Sequence, residues 1–258
     1  MSYTIDERNA ERQQLLAAIL EPPTREVLAK LPEVPNAKCL DLGCGQGNTT
    51  RLLAEVIKPA EVVGIEYDNA LVEYAAQAES PPCVRFEQGD ATRLTFADGT
   101  FDIVFCRFLL IHMADPLHVI GEMLRVVKPG GYVVAFEADF AIDISYPVTA
   151  ATALMNKVWQ GVFQNPSIGR RLVPLFKQAG ASNIQAGAFM QLEHDESTLK
   201  RTYRLTAEAT GVAAEAKGIL SAEEVRTMIE GLRALENDPA SVMMRFPDVW
   251  VMARRALQ

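Results

Sequence analysis

Apolar positions fall at helical spacing near the start of the chain and gather into short continuous runs further on. Over residues 6–20, Leu15, Leu16, Ile19 and Leu20 lie on one helical face, and Pro22-Pro23 is expected to end that helix. A second short helix is expected over 24–31, before Pro32 and Pro35. From residue 38 the pattern changes. The runs 38–42, 61–66, 83–88, 101–107 and 132–137 read as strands, and 48–57, 70–78 and 116–127 between them read as helices. A strand wetted on one face alternates apolar and polar residues, whereas these runs are nearly continuous. They therefore fit a parallel sheet covered by helices on both faces. Beyond Asp139 the rhythm loosens. Helices are expected over 148–163 and 167–179, a sixth strand over 184–192, a long helical insert over 196–235, and a strand-like run at the end of 241–254. Ser221-Ala222-Glu223-Glu224 has the spacing of a capping box at a helix start. The insert between the last two strands reads as a lid rather than a second domain, so 1–258 is expected to be one domain. Its parts are an N-terminal helical cap (1–35), a ligand-binding core (36–140), and substrate-side helices, lid and final strands (141–258).

Composition narrows the function. Hydrophobic residues make up 49% of the 258, enough for a sizeable core. The net charge of −8, from 25 Lys+Arg against 33 Asp+Glu, lacks the usual electrostatic footprint of a nucleic-acid binder. The pairs Lys200-Arg201 and Arg254-Arg255 read as solvated faces. Residues 1–12 hold no apolar signal core, and no window approaches the ~18 uninterrupted apolar residues of a membrane span. A cytoplasmic location is expected. Cys39, Cys44, Cys83 and Cys106 show no C-x-x-C pairing, so free thiols and no metal site are expected.

The densest motif is Leu40-Asp41-Leu42-Gly43-Cys44-Gly45-Gln46-Gly47-Asn48-Thr49. Glycines at alternate positions after a buried strand let the backbone turn sharply and let a ligand reach the main chain. The free N–H groups of the following helix favour an anionic group there. The dinucleotide fingerprint G-x-G-x-x-G needs its third glycine where this chain has Asn48; the glycine stands instead at Gly47, which disfavours NAD. Glu66 ends the second strand, an acid placed to accept hydrogen bonds from ribose hydroxyls. Tyr67 beside it is placed to pack on a base, and Asp68 reads as a helix cap. Gln88-Gly89-Asp90-Ala91 ends the third strand, where Asp90 is placed to accept from an exocyclic amine. Each feature alone has a structural explanation: a linking turn, an exposed strand-end acid, a turn aspartate. Their order along successive strand ends favours a nucleoside-like ligand.

The stretch Phe101-Asp102-Ile103-Val104-Phe105-Cys106-Arg107-Phe108, then Leu109-Leu110-Ile111-His112-Met113-Ala114-Asp115-Pro116, completes a resemblance to the class I S-adenosylmethionine-dependent methyltransferases. The small-molecule branch with the ubiquinone and menaquinone biosynthesis enzymes is the most similar. That branch ends its fourth helix with L-x-x-x-L-K-P-G-G; here Leu124-Arg125-Val126-Val127-Lys128-Pro129-Gly130-Gly131 departs only at Val127. The resemblance is tight over residues 37–140. It is looser over the N-terminal helix and Asn165-Pro166-Ser167-Ile168-Gly169-Arg170-Arg171-Leu172, and weak elsewhere. It implies an α/β, Rossmann-like seven-stranded sheet with helices on both faces, the last strand antiparallel, an N-terminal helix, and a helical lid between strands six and seven. It implies S-adenosylmethionine as cofactor, with S-adenosylhomocysteine as product. Asp41, Gly43, Cys44, Gly45, Gln46 and Gly47 would hold the methionine part, Glu66 the ribose, and Tyr67, Gly89, Asp90 and Ala91 the adenine. Arg107 would face the centre of the cofactor.

Methyl transfer from a sulfonium is a direct displacement, so alignment, exclusion of water and at most one general base are the protein's tasks. The candidate catalytic residues are His112, after the fourth strand, and Glu137, which with Asp139 is expected at the rim facing the transferred methyl. His118 and His194 read as structural or exposed. Tyr3, Tyr146, Trp159 and Phe163 read as core or as the lining of an aromatic pocket. Cys106-Arg107-Phe108-Leu109 is not the D/N-P-P-Y/F of base methyltransferases, the paired-glutamate loop of arginine methyltransferases is missing, and Arg107 suits no Mg²⁺ cluster. The leading reading is a methyltransferase for a small-molecule acceptor. The alternatives are a non-catalytic cofactor-binding regulator of the same fold, a protein or RNA methyltransferase, and a nucleotide-binding oxidoreductase. The helical insert is also a candidate homodimer face.

Overall fold

The structure, a computed structural model, describes residues 7–140, 144–193 and 198–257. In chain order its elements begin with α1 (Glu7–Leu28), β1 (Lys38–Leu42), α2 (Asn48–Ile57), β2 (Glu61–Glu66), α3 (Asn69–Gln77), β3 (Val84–Gln88) and β4 (Phe101–Arg107). They continue with α4 (Pro116–Val126), β5 (Val127–Ala138), β6 (Ile144–Tyr146), α5 (Ala150–Val162), α6 (Leu172–Gln178), β7 (Ser182–Phe189) and β8 (Leu192–Glu193). The last are α7 (Thr198–Ala216), α8 (Ala222–Asn237), β9 (Val242–Met244) and β10 (Asp248–Arg254).

The chain divides into two compact units. The first to be described comprises Pro23–Ala138, Ile168–Ala188 and Asp248–Gln258, and holds a seven-stranded sheet in the order β3-β2-β1-β4-β5-β10-β7. β1 lies between β2 and β4, parallel to both, with Leu40 opposite Val63 on one side and Val104 on the other. β10 runs antiparallel to β5, as the family resemblance implies. Leu40, Val63, Val104, Phe105 and Phe136 are wholly buried, each burial stabilising by about 1.5–3 kcal/mol. This is why the apolar runs are continuous: helices α2, α3, α4 and α6 pack on the sheet. Asp115 caps α4 through the His118 N–H at 3.0 Å, and Pro116 opens the helix where no N–H is needed.

The other unit comprises Met1–Pro22, Asp139–Ser167 and Phe189–Pro247. Helices α5, α7 and α8 pack on one another, with capping boxes at Thr149 for α5 and at Ser221, as expected, for α8. Phe140 stacks on Trp159 with centroids 4.7 Å apart, and Phe163, Tyr203 and Phe246 complete the cluster.

Two expectations are corrected. First, α1 does not stop at Pro22-Pro23. The ring's φ is helical, and although the pair removes two N–H donors and crowds the preceding turn, the burial of Ile19, Leu20, Val27 and Leu28 on either side holds the helix through it. The prolines instead mark where the chain passes from one unit to the other. Second, the 184–192 run is not one strand. β7 ends at Phe189, and β8 belongs to a separate sheet of order β6-β9-β8.

Candidate functional site

The 43–47 loop lies at the carboxyl end of β1. Gly43 and Cys44 both donate their N–H to the Ile65 carbonyl, at 2.8 and 3.0 Å, and Gly47 donates to the Cys44 carbonyl at 2.9 Å. These bonds curl the backbone so that Gly43, Gly45 and Gly47 all have positive φ. Gly47 caps α2 at φ 80°, and no side chain caps the helix, so its first N–H groups stay open to a ligand. A Cβ at Gly47 would stand 2.5 Å from the Phe86 ring. At Gly45, φ 52°, a Cβ would meet nothing within 4 Å; the loop leaves open space there. The Gln46 carbonyl accepts from Arg51 Nη1 at 2.9 Å, and burial raises the Cys44 thiol well above its ordinary value.

Glu66 ends β2, next to this loop. Its Oε2 accepts from the Gly45 N–H at 3.0 Å, and its Oε1 from the Tyr67 and Asp68 N–H groups at 2.8 and 3.3 Å. Oε2 keeps a lone pair for a further donor, whereas Oε1 already accepts two. Tyr67 is 74% exposed. Asp68 caps α3 through the Ala70 N–H at 2.9 Å, as the sequence suggests. At the end of β3, Gly89 donates to the Glu66 carbonyl at 2.9 Å, which ties the second and third strand ends together. Asp90 Oδ1 accepts from the Thr92 N–H and hydroxyl at 2.8 and 2.7 Å, which holds its carboxyl below the usual range. Ala91 is half-buried in the same turn.

Asp41 lies inside β1, 1% exposed, accepting from the Thr50 hydroxyl at 2.7 Å. Burial pushes its carboxyl up to about 7, against the opposing pull of Thr50 and the Arg107 charge. Arg107 ends β4 and donates through Nη1 to the Thr24 hydroxyl of α1 at 3.1 Å. Asp41, the glycine loop, Glu66, Asp90 and Arg107 thus come to the carboxyl ends of neighbouring strands, where open α/β sheets bind ligands. Thr50, Thr24 and Phe86 support the site, and motif reading passed over all three. The Thr49-Thr50 pair just inside α2 was the available signal for Thr50, since a hydroxyl there can reach back to β1.

The turn after β4 has a bulky residue in the left-handed region, Phe108 at φ 54°, a conformation costing on the order of 1–3 kcal/mol. His112 closes the 3₁₀ turn Leu110–His112, and burial pushes its imidazole down to about 4, so it is neutral at neutral pH. The expectation that Glu137 faces the reaction at a rim is corrected. It lies within β5, wholly buried, and its carboxylate accepts from the N–H groups of Leu109, Leu110 and Ile111. Burial pushes its carboxyl up to about 8, while the three amides oppose the shift. Asp139 is buried too, in the other unit, its N–H donating to the Pro247 carbonyl. His118 is exposed, with Nε2 2.8 Å from the Thr92 carbonyl oxygen. Tyr146 is exposed, whereas Trp159 and Phe163 belong to the aromatic cluster; Tyr3 and His194 lie outside the described residues. Among the described residues no group of three or more His, Cys, Asp or Glu could hold a metal ion.

Comparison with known proteins points the same way. A family model described as a methyltransferase domain matches residues 40–135. An uncharacterized methyltransferase of Schizosaccharomyces pombe is 33% identical over 182 residues, covering 65% of this chain and 66% of that one. A demethylmenaquinone methyltransferase of Lysinibacillus sphaericus is 31% identical over 173 residues, covering 60% of this chain and 74% of that one. The chain spans 46% to 66% of the length of the first three relatives it matches. The crystal structure of the YcgJ protein of Bacillus subtilis shares the fold at a TM-score of 0.63 and 18% identity, covering 92% of this chain and 100% of that one.

Proposed function

The chain belongs to the class I S-adenosylmethionine-dependent methyltransferases, and on that premise we propose that it transfers the methyl group of S-adenosylmethionine to a small-molecule acceptor. The observation that carries the site assignment is the bridge from Glu66 to the Gly45 N–H, which joins the strand-end acid to the glycine loop. The residues fit the cofactor. The open space at Gly45 is where a Cβ would obstruct it, the uncapped N–H groups of α2 suit the methionine carboxylate, and Asp41 suits the amino group. Glu66 Oε2 would accept from a ribose hydroxyl, while Tyr67, Gly89, Asp90 and Ala91 would border the adenine. Arg107 and the 108–112 turn would lie toward the cofactor's centre.

When bound, the cofactor supplies an electrophilic methyl: its S–C bond breaks as the bond to the acceptor forms, and the acceptor gives up a proton. The protein's part is to hold donor and acceptor in line and keep water out. His112, which closes the turn after β4, is the candidate to take the acceptor's proton. The relatives named demethylmenaquinone methyltransferase and trans-aconitate 2-methyltransferase support an organic small molecule as acceptor. The four free cysteines, Cys39, Cys44, Cys83 and Cys106, support a reducing compartment such as the cytoplasm. No helix among the described residues is long and apolar enough to cross a membrane.

Calorimetric titration with S-adenosylmethionine, S-adenosylhomocysteine and NADH tests the reading. The sulfur compounds should bind and NADH should not. Glu66→Ala should lose about 1.5–3 kcal/mol of affinity, the scale of hydrogen bonds to a charged group. Absence of binding by both sulfur compounds refutes the assignment.

A further inference from the structure

We propose that Glu137 is a positioning residue for the methionine end of the cofactor site, acting through the 108–112 turn. This rests on the reading that S-adenosylmethionine lies on the 43–47 loop. The carboxylate reaches out of the sheet interior to three consecutive backbone amides. Oε1 accepts from Leu109 at 2.9 Å and Leu110 at 2.7 Å, and Oε2 from Ile111 at 3.3 Å. The residue before them, Phe108, stands at φ 54°, and its N–H donates to the Phe136 carbonyl at 2.9 Å. A bulky residue keeps that conformation only where its surroundings over-determine it. Here the ladder bond to Phe136 fixes one side of the turn and the Glu137 clamp fixes the other.

What the clamp holds is a wall of the site. Leu109 leans on the glycine loop, since a Cβ at Gly43 would stand 2.9 Å from its Cδ1. His112 ends the same turn, its N–H bonded to the Leu109 carbonyl at 2.9 Å. A carboxylate that meets neither cofactor nor acceptor thus sets where Leu109 presses on Gly43 and where the His112 imidazole stands. Glutamine at 137 keeps the shape but turns an N–H₂ toward one of the three donors; alanine releases all of them.

The test compares wild type with Glu137→Gln and Glu137→Ala in three measurements: hydrogen exchange at the 109–111 amides without ligand, and affinities for S-adenosylhomocysteine and for adenosine, which has no methionine part. The expected result for Glu137→Gln is at least tenfold faster exchange confined to those amides. Its affinity for S-adenosylhomocysteine should fall about tenfold and its adenosine affinity should not change. Glu137→Ala should show the same with larger effects. Should that variant not fold, Glu137→Gln alone decides. Equal weakening of both ligands, or local loosening with no change in S-adenosylhomocysteine affinity, overturns the positioning role and leaves Glu137 as scaffold. Wild type that binds neither ligand overturns the cofactor reading itself, and this role with it.

Discussion

Replacing Asp41 with asparagine should abolish a pH dependence of cofactor binding. Asp41 is enclosed in β1, and burial pushes its carboxyl up to about 7. Near neutrality the empty protein therefore holds a proton there for much of the time. A cationic amino group arriving beside it favours the ionised form, so binding must expel that proton. Each pH unit below 7 then costs about tenfold in affinity, or about 1.4 kcal/mol. S-adenosylhomocysteine should bind roughly tenfold more weakly at pH 6 than at pH 8, with close to one proton released per molecule bound at pH 6 and few at pH 8. Calorimetry in pairs of buffers with unlike ionisation enthalpies measures both quantities. Glu137, pushed up to about 8, titrates in the same window, but it remains in Asp41→Asn, so the difference between the two proteins isolates Asp41. The variant should bind weakly at both pH values without the Asp41-linked proton. Equal proton release by wild type and variant, or a wild-type affinity flat from pH 6 to 8, refutes the reasoning.

Asp41 has a folded value raised above its unfolded one, so the folded protein keeps a proton that the unfolded chain gives up. Its contribution is fully present below about pH 4 and is lost as pH rises through about 7; urea unfolding without ligand should show lower stability at pH 8 than at pH 5.5. Gly47→Ala should destabilise by more than about 1 kcal/mol and remove S-adenosylhomocysteine binding, since φ 80° and the Phe86 ring both oppose a Cβ; circular dichroism and calorimetry check the two effects. Thr149→Ala removes the cap of α5 and should cost about 1 kcal/mol in chemical denaturation. Trp159→Phe should leave stability unchanged or raise it, because the indole N–H is buried without a hydrogen-bond partner and an orphan donor is a cost; a clear drop in melting temperature would refute that.

The sheet was legible where burial on both faces wrote itself into the sequence. β1, β2 and β4 run between the residues expected of them, as does α2, because a glycine or a charged strand end marks each boundary. The small sheet was not legible: β6, β8 and β9 are two or three residues long, too short for any period to register. The glycine loop and Glu66 were readable as a site because their geometry is local and fixed by chain order. Glu137 was readable only as an acid near a strand end. In a strand buried on both sides the period of two no longer tells inside from outside, and the three amides that claim its carboxylate lie 26 to 28 residues earlier.

The position of β10 has a consequence for how the molecule comes into being. It is the last strand in the chain, yet it sits between β5 and β7. On the ribosome the five parallel strands can pair as they emerge, but β5 then waits with an open edge while about a hundred further residues are made. At roughly 5–20 residues per second that wait lasts on the order of ten seconds. During it β7 has no neighbour between itself and β5, and the apolar edge of β5 is a template for any passing strand. Until β10 arrives, that open edge is the point at which the nascent sheet is exposed to wrong pairing.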